Sequence, residues 1–124
     1  MPRPTAVIVQ RDGNASAAIA FSLCRHCGAV QLVSSHRELR EAIPRHAASI
    51  VVADLESVDF GEVESLHRDF DGVTIVCTHR LADELLWAAA LRCGALDCCY
   101  PTDCPGIVAA LEHRARPRPR PRAA

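Results

Sequence analysis

Five short apolar runs punctuate the chain: Ala6 to Val9, Ala29 to Val33, Ser49 to Ala53, Val73 to Cys77, and a weaker one from Leu96 to Tyr100. Each has the length of a strand and is rich in β-branched residues. Most are apolar at successive positions instead of alternate ones. Strands of that kind are buried on both faces, which is the habit of a parallel sheet covered by helices on either side. The stretches between the runs supply those helices.

The first helix is expected from about Asn14 to Cys27, with an Asn or Ser cap, an apolar face through Ile19 and Leu23, and Gly28 as its stop. The second, HRELREAIPRHA, follows the Ser34–Ser35 pair and must end or kink near Pro44, whose ring cannot continue the hydrogen-bond ladder. From Val58 to Phe70 the chain is acidic and poorly apolar, so the third helix is expected to be short. The segment RLADELLWAAALRCGA is the strongest helix former of the chain, with Gly94 as its stop. A fifth opens at a cap on Thr102 or Asp103 with Pro105 in its first turn, and buries Ile107, Val108 and Leu111. The sum is five β–α units in an α/β domain.

Length adds that one domain suffices, since 124 residues can build a single continuous core. Charge adds an asymmetry. Nine of the arginines face all 15 acidic residues before position 114, and the other five arginines fall at every second position from Arg114 to Arg122, alternating with proline from Arg116 on. The expected division is a domain over 1–113 and a disordered or polyproline-like tail over 114–124. The tail carries no aromatic residue for base stacking, so nucleic-acid binding is not expected of the domain. No run reaches a membrane-spanning length and the start does not read as a signal peptide; the expected location is the cytoplasm. There is no lysine.

Seven cysteines without an export signal read as free thiols, with Cys77 behaving as a small hydrophobe. Cys24 and Cys27 have C-x-x-C spacing, which invites a redox or zinc reading. They fall at a helix C-terminus, where the dipole disfavours a thiolate, and His26 between them reads as a surface residue. Cys98, Cys99 and Cys104 read as strand packing plus one exposed thiol. Trp87 is a binding anchor if exposed and core if buried; the run Leu-Leu-Trp-Ala-Ala favours burial.

The chemistry centres on Asp54, which ends the third apolar run. Open α/β sheets bind ligands in the crevice outside the carboxyl ends of their strands, and a carboxylate there stands in that crevice. Three pieces, Ala53-Asp54-Leu55, Val76-Cys77-Thr78, and Ala90 to Asp97 with its Gly94-Ala95 turn, are similar to the receiver domain of bacterial response regulators. The resemblance covers about Thr5 to Arg114. It implies a flavodoxin-like (βα)5 three-layer sandwich with a five-stranded parallel sheet in the order 2-1-3-4-5.

The resemblance also implies roles. Asp54 matches the phospho-acceptor, and Thr78 the hydroxyl that senses the phosphoryl group. The family's acidic Mg²⁺-binding pair is matched by Gln10 and Arg11, a neutral amide and a cation that opposes a divalent metal. Asp12, one step on, is the substitute that would join Asp54 as ligand if Mg²⁺ is bound. The family's lysine falls on Tyr100 or Pro101, and Arg80 is the cation that could reach the same crevice. The loop after Asp54 lacks the family's proline and is one residue short. Two of five expected features remain. Since each electrostatic group at such a site is worth about 10² to 10³ in rate, phosphorylation is expected to be impaired by several powers of ten.

The expected function is therefore a degenerate, or pseudo-, receiver: a signalling module of the two-component, phosphorelay type, not an enzyme, acting through protein contacts. A histidine kinase or an output protein is the implied partner. The face of the fourth helix, fifth strand and fifth helix offers a route to homodimers. In its bland form, Asp54 caps a turn or pairs with Arg11. Two further readings stand beside it. One is a working phospho-acceptor with Asp12 as metal ligand and Arg80 in place of the lysine. The other is a small nucleotide or cofactor binder, against which QRDGNAS offers a single glycine and no phosphate-cradling pattern.

Overall fold

The computed structural model describes residues 3–112. In chain order its elements are β1 (Thr5–Val9), α1 (Gly13–Leu23), β2 (Ala29–Val33), α2 (His36–Arg45), β3 (Ile50–Asp54), α3 (Phe60–Asp69), β4 (Thr74–Thr78), α4 (Glu84–Arg92), β5 (Asp97–Cys99) and α5 (Cys104–Glu112). The strands pair in parallel in the order β2-β1-β3-β4-β5, the flavodoxin-like arrangement expected. The Arg/Pro tail lies outside the described residues.

The period of two along each strand sorts its side chains between two cores. Val7, Val51, Ile75 and Cys98 point to the side covered by α2, α3 and α4. Ala6, Ile8, Val52 and Val76 point to the side of α1 and α5, against Ile19, Leu23 and Ile107. Every residue of β3 is buried, which is why its run shows no alternation.

Element ends differ from expectation for local reasons. Asp12, not an Asn or Ser, caps α1: its side chain accepts from the N–H groups of Asn14 and Ala15. The same helix stops at Leu23 instead of Cys27, with Cys24 as its C-cap, so Gly28 lies beyond the helix end. Ser35 caps α2, which ends one residue after Pro44. Asp59 and Glu62 form a reciprocal capping box that starts α3 in its acidic stretch. Helix α4 begins at Glu84 instead of near Arg80, because Ala82 takes a positive φ of 33° and Asp83 then provides the cap. Gly94, at φ 104°, is the left-handed residue that turns the chain out of α4. Asp54 itself is the last residue of β3. No helix among the described residues is long and apolar enough to cross a membrane.

Candidate functional site

At the carboxyl edge of the sheet the loops after β1, β3, β4 and β5 enclose a cleft of about 550 Å³. Gln10, Arg11, Asp12, Asp54, Glu56, Arg80, Tyr100, Pro101 and Thr102 line it. Thr78, level with Asp54 on the neighbouring strand, is fully buried behind this lining. The residues matched to the expected phospho-acceptor pocket therefore converge on one place.

Asp54 is 1 % exposed and its charge is met by protein groups. Its Oδ2 accepts from the Arg11 backbone N–H at 3.0 Å and from the Ser57 hydroxyl at 3.0 Å; its Oδ1 accepts from the Glu56 N–H at 3.0 Å. Two of the three donors are backbone groups fixed by the turns on either side. A buried carboxylate needs that many partners, since leaving it bare would be strongly unfavourable.

The pairing of Arg11 with Asp54 takes a different form from the one expected. It is the backbone N–H of Arg11 that meets Asp54, while its guanidinium reaches Glu56, Nη1 to Oε2 3.8 Å. Arg80 meets the same carboxylate from the β4–α4 loop, with its Nε 2.8 Å from Oε1 and 3.1 Å from Oε2. Glu56 thus stands between two guanidinium groups and ties three loops together across the mouth of the cleft. The Arg80 hydrogen bond pulls the Glu56 carboxyl below its ordinary range, and the same contact pushes the Arg80 guanidinium up. Both arginines are largely exposed, so screening leaves each pair modest taken alone.

Gln10 closes the inner side. Its Nε2 donates to Thr78 Oγ1 at 3.0 Å, and its Oε1 accepts from the Asp12 N–H at 3.2 Å. The Thr78 hydroxyl is therefore already engaged by Gln10, the residue at the position where a metal ligand was expected.

These donors do not fit a divalent cation. A hard cation needs several convergent oxygens, preferably anionic. Here Asp12 Oδ1 caps α1, the Gln10 oxygen is turned to a backbone N–H, and Arg11 brings a positive charge to the same corner. Among the described residues no group of three or more His, Cys, Asp or Glu side chains is placed to hold a metal ion.

Sequence reasoning missed Glu56 and Ser57, although both lie within three residues of Asp54. An acidic residue two positions after the strand-end Asp, in a crevice that also receives two arginines and no lysine, was the available signal. Trp87 is half-buried, with its indole N–H donating to Asp97 Oδ1 at 2.9 Å, so it serves the core side of α4 more than the surface. The large apolar side chains exposed near the cleft are instead Leu81, Leu85 and Tyr100. Cys77, Cys98 and Cys99 are buried as expected and Cys104 is half-buried. Burial, with neighbouring Cys24, pushes the Cys27 thiol up.

No family model matches the chain and no curated protein matches it in sequence. Solved structures do match. The signal receiver domain of the Mycobacterium tuberculosis protein NarL superposes with a TM-score of 0.78 at 14 % identity, over 95 % of this chain and all of that one (100 %). A response regulator from Thermotoga maritima gives 0.74 at 14 % identity over 89 % of this chain and 95 % of that one. The isolated receiver domain of RcsB from Salmonella enterica, solved in the presence of the phosphomimetic BeF3−, gives 0.73 at 17 % identity over 89 % and 88 %. The chain thus has the fold of receiver domains, from its first strand to its last helix.

Proposed function

We propose that the chain is a receiver-like signalling module that works through protein contacts with its pocket held in one conformation, and in which metal-assisted phosphorylation at Asp54 is impaired. The observation that carries this reading is the Glu56 carboxylate bound between Arg11 and Arg80 over Asp54. Phosphoryl transfer to a carboxylate relies on positioned positive charge around the transferring group. The two arginines could supply charge, but both are held by Glu56, and releasing either would leave that acidic group facing the incoming phosphoryl oxygens. Beneath them the Gln10–Thr78 bond occupies the hydroxyl whose rearrangement would report phosphorylation.

The partner is a signalling protein, a histidine kinase or an output protein, and the exposed Leu81 and Leu85 beside the cleft fit an apolar contact that reads the fixed loop arrangement. The proposed domain spans 1–113, with the Arg/Pro segment as an extension and the cytoplasm as its setting.

A titration with beryllofluoride and Mg²⁺ tests the proposal, followed through amide NMR shifts of Asp54, Thr78 and Arg80. The expected result is no saturable shift at millimolar Mg²⁺. Saturable shifts that vanish in Asp54→Ala would overturn it in favour of a working phospho-acceptor.

A further inference from the structure

The two edges of the sheet are built differently. Edge strands present a row of unpaired N–H and C=O groups, and proteins ordinarily blunt them with charge, proline or very short length. At one edge β5 has three residues, all buried. At the other, β2 has five, Ala-Val-Gln-Leu-Val, with no charge, proline or glycine and every residue at least partly exposed.

Both faces of this edge are suited to a copy of themselves. Val30 packs on the α1 side and Val33 on the α2 side, so Leu32, in line with Val30, also stands on the α1 side, where it is 55 % exposed. On the α2 side a shallow hollow is lined by Gln31, Val33, Glu38, Glu41, Arg45 and His46, with Ala42 at its floor. Helix α2 runs back along β2, which places acidic Glu38 level with the Val33 end and basic Arg45 level with the Ala29 end. A second copy turned about a two-fold axis through Gln31 brings its Arg45 opposite Glu38, and Leu32 over Val30. The Glu41 side chains meet near the axis, each already beside its own Arg37.

We propose that β2 is a docking edge for a second copy of this chain, added antiparallel to form one continuous ten-stranded sheet. Closed two-fold pairing satisfies the outward backbone groups of both β2 edges at once, whereas a β2-to-β5 contact would be heterologous and leave an open stack. The charge pattern supports the antiparallel arrangement, which keeps both α2 helices on one face of the joined sheet with each Glu38 opposite an Arg45, whereas parallel addition would put the two α2 helices on opposite faces and forgo that pairing.

Sedimentation of the full chain over a concentration series tests this. The expected result is a reversible dimer whose dissociation constant rises at least about tenfold in Leu32→Glu, equivalent to about 1.4 kcal/mol. Arg45→Glu should weaken the dimer and the added Glu38→Arg should restore it. Leu85→Glu, on the opposite side of the molecule, should leave it unchanged. Hydrogen exchange on the unaltered chain gives a second readout that needs no variant: amides of β2 should gain protection only at dimer-forming concentrations. A monomer up to ~1 mM, β2 amides protected only when a different protein is added, or a dimer lost in Leu85→Glu but kept in Leu32→Glu would each overturn the proposal.

Discussion

Asp54 shows how the turns beside a strand end decide what a buried carboxylate meets. The carboxylate is nearly inaccessible and is held by the N–H groups of Arg11 and Glu56 and the hydroxyl of Ser57. If these bonds are structural, removing their acceptor leaves three partly buried donors without it. Asp54→Ala should therefore destabilise the fold, by about 1 to 3 kcal/mol, with a lowered midpoint in urea denaturation. A more stable Asp54→Ala protein would mean that the carboxylate is strained in its site, as groups kept for chemistry often are, and would count against the fixed-pocket reading. Most of the residues that meet in the cleft, though not Glu56 and Ser57, were legible in the chain, because a strand-end position determines where a side chain stands. How they meet was not. Arg11 offers two donors of different kind, and only the turn after β1 decides that its backbone faces Asp54 while its guanidinium faces Glu56. That turn is in turn fixed by Asp12, whose side chain is drawn to the first N–H groups of α1.

At the scale of elements, caps decided what hydropathy left open. The apolar runs located all five strands, four because burial leaves a continuous pattern and the edge strand β2 because its run stays apolar although partly exposed, but helix ends are set by single side-chain bonds. Asp83 starts α4 beyond Arg80, where that helical stretch was expected to open, Asp12 takes the capping role expected of an Asn or Ser, and Ala82 in the left-handed region separates the β4 loop from α4. Helix α3 is the clearest case, since its acidic sequence argued for little helix. Asp59 accepts from the Glu62 N–H at 2.7 Å while Glu62 Oε1 accepts from the Asp59 N–H at 3.0 Å. The other oxygen of Glu62 lies 2.9 Å from His36 Nδ1 at the start of α2. One carboxylate thus caps its own helix and fastens it to the next. Asp59→Ala should lower stability by about 1 kcal/mol, the usual value of a lost N-cap. Glu62→Ala leaves the Asp59 cap bond in place but removes the reciprocal bond and the link to α2 together, so its urea midpoint should fall as well. An unchanged midpoint in Glu62→Ala would mean that neither contact contributes.

For the molecule as a whole, composition gives the stability an unusual dependence on pH. On the acid side Glu56 is depressed by its Arg80 hydrogen bond and Asp69 by those from Arg40 and Arg68. A depressed carboxyl contributes stability above its unfolded pKa and loses that contribution as pH falls through the folded one, so stability should decline below about pH 4.5. The alkaline side is less ordinary. With no lysine and a single tyrosine, thiols are the main side chains of this chain whose ordinary pKa lies in the mildly alkaline range. Cys77 is fully buried, and burial with the adjoining Cys98, Cys93 and Cys99 pushes its thiol far above the ordinary value of 9.0. A raised thiol is fully accommodated in the fold below the unfolded pKa. Above it the unfolded chain releases a proton that the folded one retains, so stability falls as pH rises. For Cys77 alone the slope approaches about 1.4 kcal/mol per pH unit, and Cys27, raised by burial and Cys24, adds to it. Urea midpoints measured from pH 7 to 10.5 should therefore drop steeply above about pH 9, and Cys77→Ala, less stable at pH 7 for its lost packing, should show a shallower decline. Parallel curves for the two proteins would mean that the thiols ionise alike in both states, and that the Cys77 side of the core admits water in a way its burial does not suggest.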